Sequence, residues 1–185
     1  MQEELPAKRL LEGLLVFMFF LPELPWVLAW MLLGAPNVGL LNQWLGALVP
    51  GGEGLIDVYS YGGLIVLGAA RSAPVLFLFV HPALLAMDAT LEEAARMAGA
   101  SAWRTVWRIN FPLLLPALLA SGILSFVVAM ESFEIPQLLG TPANIFVFTT
   151  RIYDLAYGGH VANFGAAMVL ALILLVLTGS LIVVQ

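Results

Sequence analysis

The sequence predicts an all-α membrane protein, a polytopic bundle of about four transmembrane helices with one polar loop between the second and third. Three observations predict it. Hydrophobic residues fill 62% of the 185 positions and charged ones only 10%, against about 25% charged in soluble domains. Mean hydropathy is +1.00. Apolar runs near residues 10–33, 62–87, 113–130 and 164–184 are each long enough, or nearly so, to cross a bilayer. Residues 1–185 read as a single transmembrane domain.

Residues 1–9 are polar, and Leu10 to Leu33 follows as 24 residues, about 36 Å of helix. Leu21-Pro22-Glu23-Leu24-Pro25 interrupts it. A helix stopping at Leu21 is only about 18 Å long, too short to cross. The expectation is one span with a proline kink, its freed carbonyls satisfied by neighbouring helices. Trp26, Trp30 and, further on, Trp44 are expected near a headgroup layer. Lys8 and Arg9 precede this run, but it continues too far for a secretory signal and lacks a small-residue cleavage site.

Gly34 to Tyr61 holds turn-forming Ala-Pro, Asn-Val-Gly and Gly-Gly-Glu-Gly tracts, with a short interfacial helix predicted over Leu40–Val49. Gly62, Gly63 and Gly68 open the second span, where small residues let backbones approach. Ser121, Gly122 and Ser125 give the third span a small-residue packing face. Glu131 to Asn163 is a second loop with partial order: a turn at Gln137–Gly140, an apolar run at Ile145–Thr150 and a polar approach from Arg151 to His160.

The polar island begins at Asp88 and ends at Pro116. Thr90 followed by Glu93 has capping-box spacing, predicting a helix over Leu91–Ala98 with Glu92 and Glu93 in its positive first turn. Gly99 falls where a helix ends in a left-handed residue. Ser101 is placed to cap a second helix, Ala102–Asn110, with Arg104 and Arg108 four apart on one face. Pro112 is expected to end that helix and open the next. Lys8, Arg9, Arg96, Arg104 and Arg108 fall on one side of the predicted membrane and Arg151 on the other. The positive-inside rule then puts the N-terminus and the 88–112 loop in the cytoplasm.

This loop resembles that of permease subunits from binding-protein-dependent ATP-binding-cassette importers. Glu93-Ala94-Ala95, Gly99, Ile109 and Pro112 stand at the family's spacing, and Phe111 replaces its usual Leu. The resemblance implies a coupling helix seated on a cytoplasmic ATPase subunit, with Glu92, Glu93, Ala94, Ala95, Gly99, Ile109 and Pro112 at the junction. Leu28-Ala29-Trp30 through Gly39-Leu40-Leu41-Asn42 is similar to an outer turn of polyamine and ferric-iron type permeases. Glu131 to Pro136, Leu139 to Pro142 and Val147 to Tyr153 are similar to the segment after the loop in ferric-iron type permeases. The resemblance also implies a second permease half, an extracytoplasmic substrate-binding protein, a bacterial or archaeal inner-membrane location and a cargo such as ferric iron, with polyamines or another small solute as alternatives. Such permeases usually have six spans; four are counted here, so the chain is expected to be a fragment, most of one half.

Ionisable groups at membrane depth are costly, about 2.5–3.5 kcal/mol each, and tend to face a cavity or a partner. Glu23 and Arg71 sit within the first and second spans and are expected to pair, as a structural ion pair or as residues lining the substrate path. Glu131 and Glu134, three apart at the mouth of the third span, are expected on one helical face, where they would favour cationic cargo or simply be solvated. Tyr153, Asp154, Tyr157 and His160 supply donors on the same loop without metal-site spacing, and His81 reads as a helix-end residue. Zero cysteines exclude disulfides and thiolate metal sites. No His-Glu-x-x-His, Gly-x-Ser-x-Gly or Gly-rich phosphate loop is present. No cofactor, resident metal or nucleic-acid partner is expected; besides protein partners the chain contacts membrane lipid. It is read as a transport subunit rather than an enzyme, with ATP hydrolysed by a partner. The rival classes are an intramembrane enzyme and a passive channel subunit.

Overall fold

A computed structural model describes residues 6–49, 51, 52, 54–158 and 162–184, and these are helices and connecting turns. Three helical stretches are each long and apolar enough to cross a membrane: α4 (Tyr61–Leu85), the continuous rod Ala102–Glu131, and α9 (Phe164–Val184). Only 11% of each apolar window is buried within the chain, so most of these surfaces are left to lipid or to other protein.

The first apolar stretch differs from the single kinked span. It is two helices, α1 (Pro6–Phe20) and α2 (Glu23–Gly34), turned by 111° at the break. Pro22 removes the N–H that Met18 O needs, and Pro25 removes the one Leu21 O needs. Two ladder bonds lost within one turn convert a kink into a corner.

Residues α3 (Leu40–Leu48) form the short helix predicted in the first loop. Ser60 caps α4, its Oγ accepting from Gly63 N–H at 3.0 Å. Gly63 is needed there, since a Cβ would lie 2.6 Å from Asp57 O and Val58 Cα. Val27, Val58, Leu67, Ile135 and Leu139 make the buried core where α2, the loop after α3, α4 and the 135–139 segment meet. Trp26 and Trp30, both partly buried, pack against this core and lie edge to face with each other at 5.7 Å. Trp44 is 71% exposed.

The rod comprises α6 (Ala102–Thr105), a π turn over Val106–Asn110, and α7 (Phe111–Glu131). Pro112 was expected to break it and does not. The widened turn, closed by Phe111 N–H to Val106 O, accommodates a residue that can offer no N–H to the carbonyl four back. The α4–α7 contact is the most extensive pairing in the bundle. Ser121 is fully buried and Ser125 8% exposed, so the two serines of the predicted stripe lie on the buried face, whereas Gly122 is half-buried and a Cβ there would meet nothing within 4 Å. Helix α8 (Phe148–Tyr153) and the turn after it lie against α9.

Candidate functional site

A cavity of about 910 Å³ opens between the α1–α2 corner, α4, α7 and the segment 135–147. Its walls are mostly apolar, and its polar lining includes Glu23, Arg71, Ser72, Ser125 and Ser132. The corner and the rod position these groups. Glu23 begins α2, Arg71 lies mid-α4, and Ser132 follows the end of α7.

Glu23 and Arg71 share this cavity but do not pair. The Arg71 guanidinium donates through Nη1 to Met18 O at 3.4 Å and through Nη2 to Leu21 O at 3.3 Å. These are the two carbonyls that Pro22 and Pro25 orphan. In an apolar medium an orphaned carbonyl is costly, and a guanidinium with five donors can serve two at once. Glu23 is held elsewhere: its Oε1 accepts from Ser132 Oγ at 2.8 Å. The Nε of Arg71 and the Oγ of Ser125 are buried without a hydrogen-bond partner at the cavity wall.

The same rule explains the corner after α7. Pro136 cannot donate to Ser132 O, and Thr149 Oγ1 fills that place at 2.7 Å. Ser132 therefore leaves the helix, with φ −59° and ψ 135°, and Glu131 and Glu134 do not share the helical face expected of them. Glu131 instead lines a smaller hollow of about 290 Å³ with Thr149, Leu174 and Thr178, and Glu134 lines neither space. Among the loop donors, Asp154 is committed to Arg151 at 2.6 Å, and Tyr153 stacks between Phe133 and Tyr157. His160 lies outside the described residues. His81 is inside α4, its Nε2 3.5 Å from Glu12 Oε1.

The 88–112 loop carries α5 (Ala89–Met97), which begins two residues before the predicted start. The cap is Asp88, whose Oδ1 accepts from Thr90 N–H at 2.9 Å, in place of the Thr90–Glu93 box. That backbone N–H, and secondarily the Thr90 hydroxyl, hold the Asp88 carboxyl below its usual range. Gly99 has φ +81°, and Ala100 N–H reaches back to Ala95 O at 3.0 Å, a Schellman ending. Ser101 Oγ accepts from Arg104 N–H, as predicted. Glu93 and Ala94 are exposed on α5, as is Leu91 at 44% and Met97 at 85%. Ile109 and Pro112 stand where the π turn passes into α7.

Sequence reasoning gave Asn42 no structural role. It is 2% exposed; its Nδ2 donates to Ala35 O at 3.0 Å and Ile56 O at 2.7 Å, and its Oδ1 accepts from Ile56 N–H at 2.9 Å. The sequence offered little to single it out, since Asn37 and Gln43 stand in the same stretch and the carbonyls it serves come from residues 7 and 14 positions away.

Comparison with known proteins agrees with this geometry. A putative ferric transport system permease protein of Haemophilus influenzae is 28% identical over 69% of this chain, which covers 20% of that relative. A molybdenum transport system permease protein of Escherichia coli is 30% identical over 69% of the chain and 54% of the relative. A probable sulfate transport system permease protein of Chlorokybus atmophyticus is 30% identical, again over 69% of the chain and 43% of the relative. The chain thus spans between a fifth and about half of these proteins. With residues 5–185 matching its model throughout, and a multi-helix bundle carrying a Gly-elbowed helical loop, this chain belongs to the family of binding-protein-dependent transport system inner membrane components.

Proposed function

We propose that the chain forms part of the solute path of an ATP-binding-cassette importer and couples it to a cytoplasmic ATPase through α5. The observation that carries this reading is the elbow at Gly99: a short helix with exposed apolar residues, held at a fixed angle to a rod that runs on to the cavity. ATP binding and hydrolysis in the partner would move α5 as a body, and the rod would carry that movement to Ser132 and Glu23. Glu92, Glu93, Ala94 and Ala95 form the docking helix, Gly99 sets its angle, and Ile109 and Pro112 mark the passage into the span. Glu23 and Arg71 line the path. Glu131 and Glu134 do not line the cavity. The basic residues of the loop face the cytoplasm, and a second permease half and an extracytoplasmic binding protein complete the transporter.

Ferric iron is the cargo to try first, on the likeness to a ferric permease. Molybdenum and sulfate follow from the other relatives, because a cavity lined by one Arg and one Glu is not built for one sign of charge. Uptake of each by the assembled transporter distinguishes them.

The coupling reading is tested by Gly99→Val. No neighbouring atom lies within 4 Å of a Cβ built at Gly99, so the substitution acts through backbone strain, about 1–2 kcal/mol or more at a left-handed position. The variant should insert and assemble yet hydrolyse ATP without moving solute. Single cysteines at Glu92 or Ala95, in a chain that has none, should crosslink to the ATPase. Normal coupled uptake by Gly99→Val, or no crosslink from either position, would sink the proposal.

A further inference from the structure

We infer that the outward face at the start of the rod, built by Trp103, Arg104, Trp107 and Arg108, binds the headgroups of anionic phospholipids. The inference goes beyond the transport reading and needs only that the rod crosses the bilayer.

Trp103, Trp107 and Phe111 follow one another at four-residue intervals and stack as a ladder, with ring centroids 5.6 and 5.1 Å apart. The ladder faces outward: Trp103 is 72% exposed and Trp107 50%. Thr105, on the opposite side of the turn, is buried. Arg104 and Arg108 form the adjacent stripe, and both are exposed. Among the described residues neither is in an ion pair with a carboxylate. Two cations and two indoles therefore share one open face.

Length fixes the depth of that face. The rod has 30 residues, about 45 Å at 1.5 Å per residue, whereas the hydrocarbon core is about 30 Å thick. From Arg108 to Glu131 is about 35 Å of helix, so these two charges bracket the apolar stretch. Residues 103–108 then lie in the headgroup layer. Indoles favour that layer because an apolar body and one N–H donor suit it. Guanidinium groups favour phosphate there, through paired N–H donors. A zwitterionic headgroup would answer the indoles but leave the two arginines without a net counter-charge, and an anionic one answers both.

The test uses the full chain in bilayers containing brominated lipids, with Trp26, Trp30 and Trp44 changed to Phe so that Trp103 and Trp107 report. Brominated phosphatidylglycerol should quench more than brominated phosphatidylcholine at equal mole fraction. The preference should fall about fivefold for each arginine changed to Gln, roughly thirtyfold in R104Q/R108Q at low salt. It should survive in R104K/R108K and weaken as salt rises. If the three-Phe background does not fold, the difference in quenching between the parent chain and R104Q/R108Q gives the same reading. Equal quenching by the two lipids, or a preference unchanged in R104Q/R108Q, overturns the inference. So does a double variant that keeps its lipid preference but no longer retains the ATPase, since the face would then belong to a protein partner.

Discussion

The guanidinium of Arg71 lies 3.3 Å from the carbonyl oxygen of Leu21, the acceptor that Pro25 leaves without a donor. A second donor of the same group reaches Met18 O at 3.4 Å, orphaned in the same way by Pro22. A side chain from α4 thus completes the hydrogen bonding of a corner made by two prolines, reaching acceptors 50 and 53 residues away.

Arg71→Met should destabilise the bundle by about 2–4 kcal/mol, since two part-buried carbonyls lose their donors. Pro22→Ala with Pro25→Ala returns two N–H groups, so Arg71→Met should cost about 1–2 kcal/mol less in that background. Thermal unfolding of the four proteins in detergent measures this coupling. Arg71→Met and Glu23→Gln, by contrast, should add to within about 0.5 kcal/mol, because the two side chains hold different partners.

Ser132→Ala removes the O–H donor to Glu23 while leaving the Ser132 carbonyl for Thr149. A loss of about 1–3 kcal/mol is expected, since a part-buried carboxyl oxygen is left without its donor. Because the bond joins the end of the rod to α2, a spin label at each should report a broader distance distribution in the variant. An unchanged distribution would show that other contacts hold the two together.

Asn42→Asp should be more damaging than its size suggests. The carboxylate can still accept from Ile56 N–H but has nothing to give Ala35 O and Ile56 O, so like charge faces two carbonyls. A loss of about 2–4 kcal/mol is expected, with faster protease cleavage in the loop after α3. Asn42→Leu removes the charge conflict but leaves Ile56 N–H unpaired as well as the two carbonyls, and should fall between the parent chain and Asn42→Asp.

The start of α5 should depend on pH in one direction. Asp88 has its carboxyl held below the ordinary aspartate value of 3.8, chiefly by the Thr90 N–H. A depressed folded-state value means that its contribution is complete above 3.8 and is lost as pH falls through the lower, folded-state value. Amide exchange at Thr90 should therefore quicken relative to the rest of α5 on acidification through that range. Asp88→Asn should show little of this pH dependence while keeping much of the cap.

The features read correctly from sequence are those set within a few residues. Gly99 ends α5 and Ser101 caps α6 because each acts on its own turn, and Ser121 and Ser125 are buried because small side chains allow a neighbouring helix to approach. The features misread involve competition between distant groups. Glu23 and Arg71 look like partners by charge and depth. The deciding quantity is which carbonyls lack donors, and that is written in the positions of Pro22, Pro25 and Pro136. The proline positions were legible; the donor that would answer each was not, since Arg71 and Thr149 arrive from other elements. Likewise Pro112 looked like a stop, because a sequence does not reveal that a π turn will absorb it.

The unbroken run from Ala102 to Glu131 gives the molecule a mechanical advantage. A stiff member about 45 Å long, tilted by about 5° at its foot, sweeps its far end through about 4 Å, more than the width of a water molecule. A stroke of that size at Ser132 is enough to part it from Glu23. The π turn at 106–110 and Pro116 inside α7 are the points where the regular ladder is interrupted, and stiffening or softening them would tune how much of the stroke arrives.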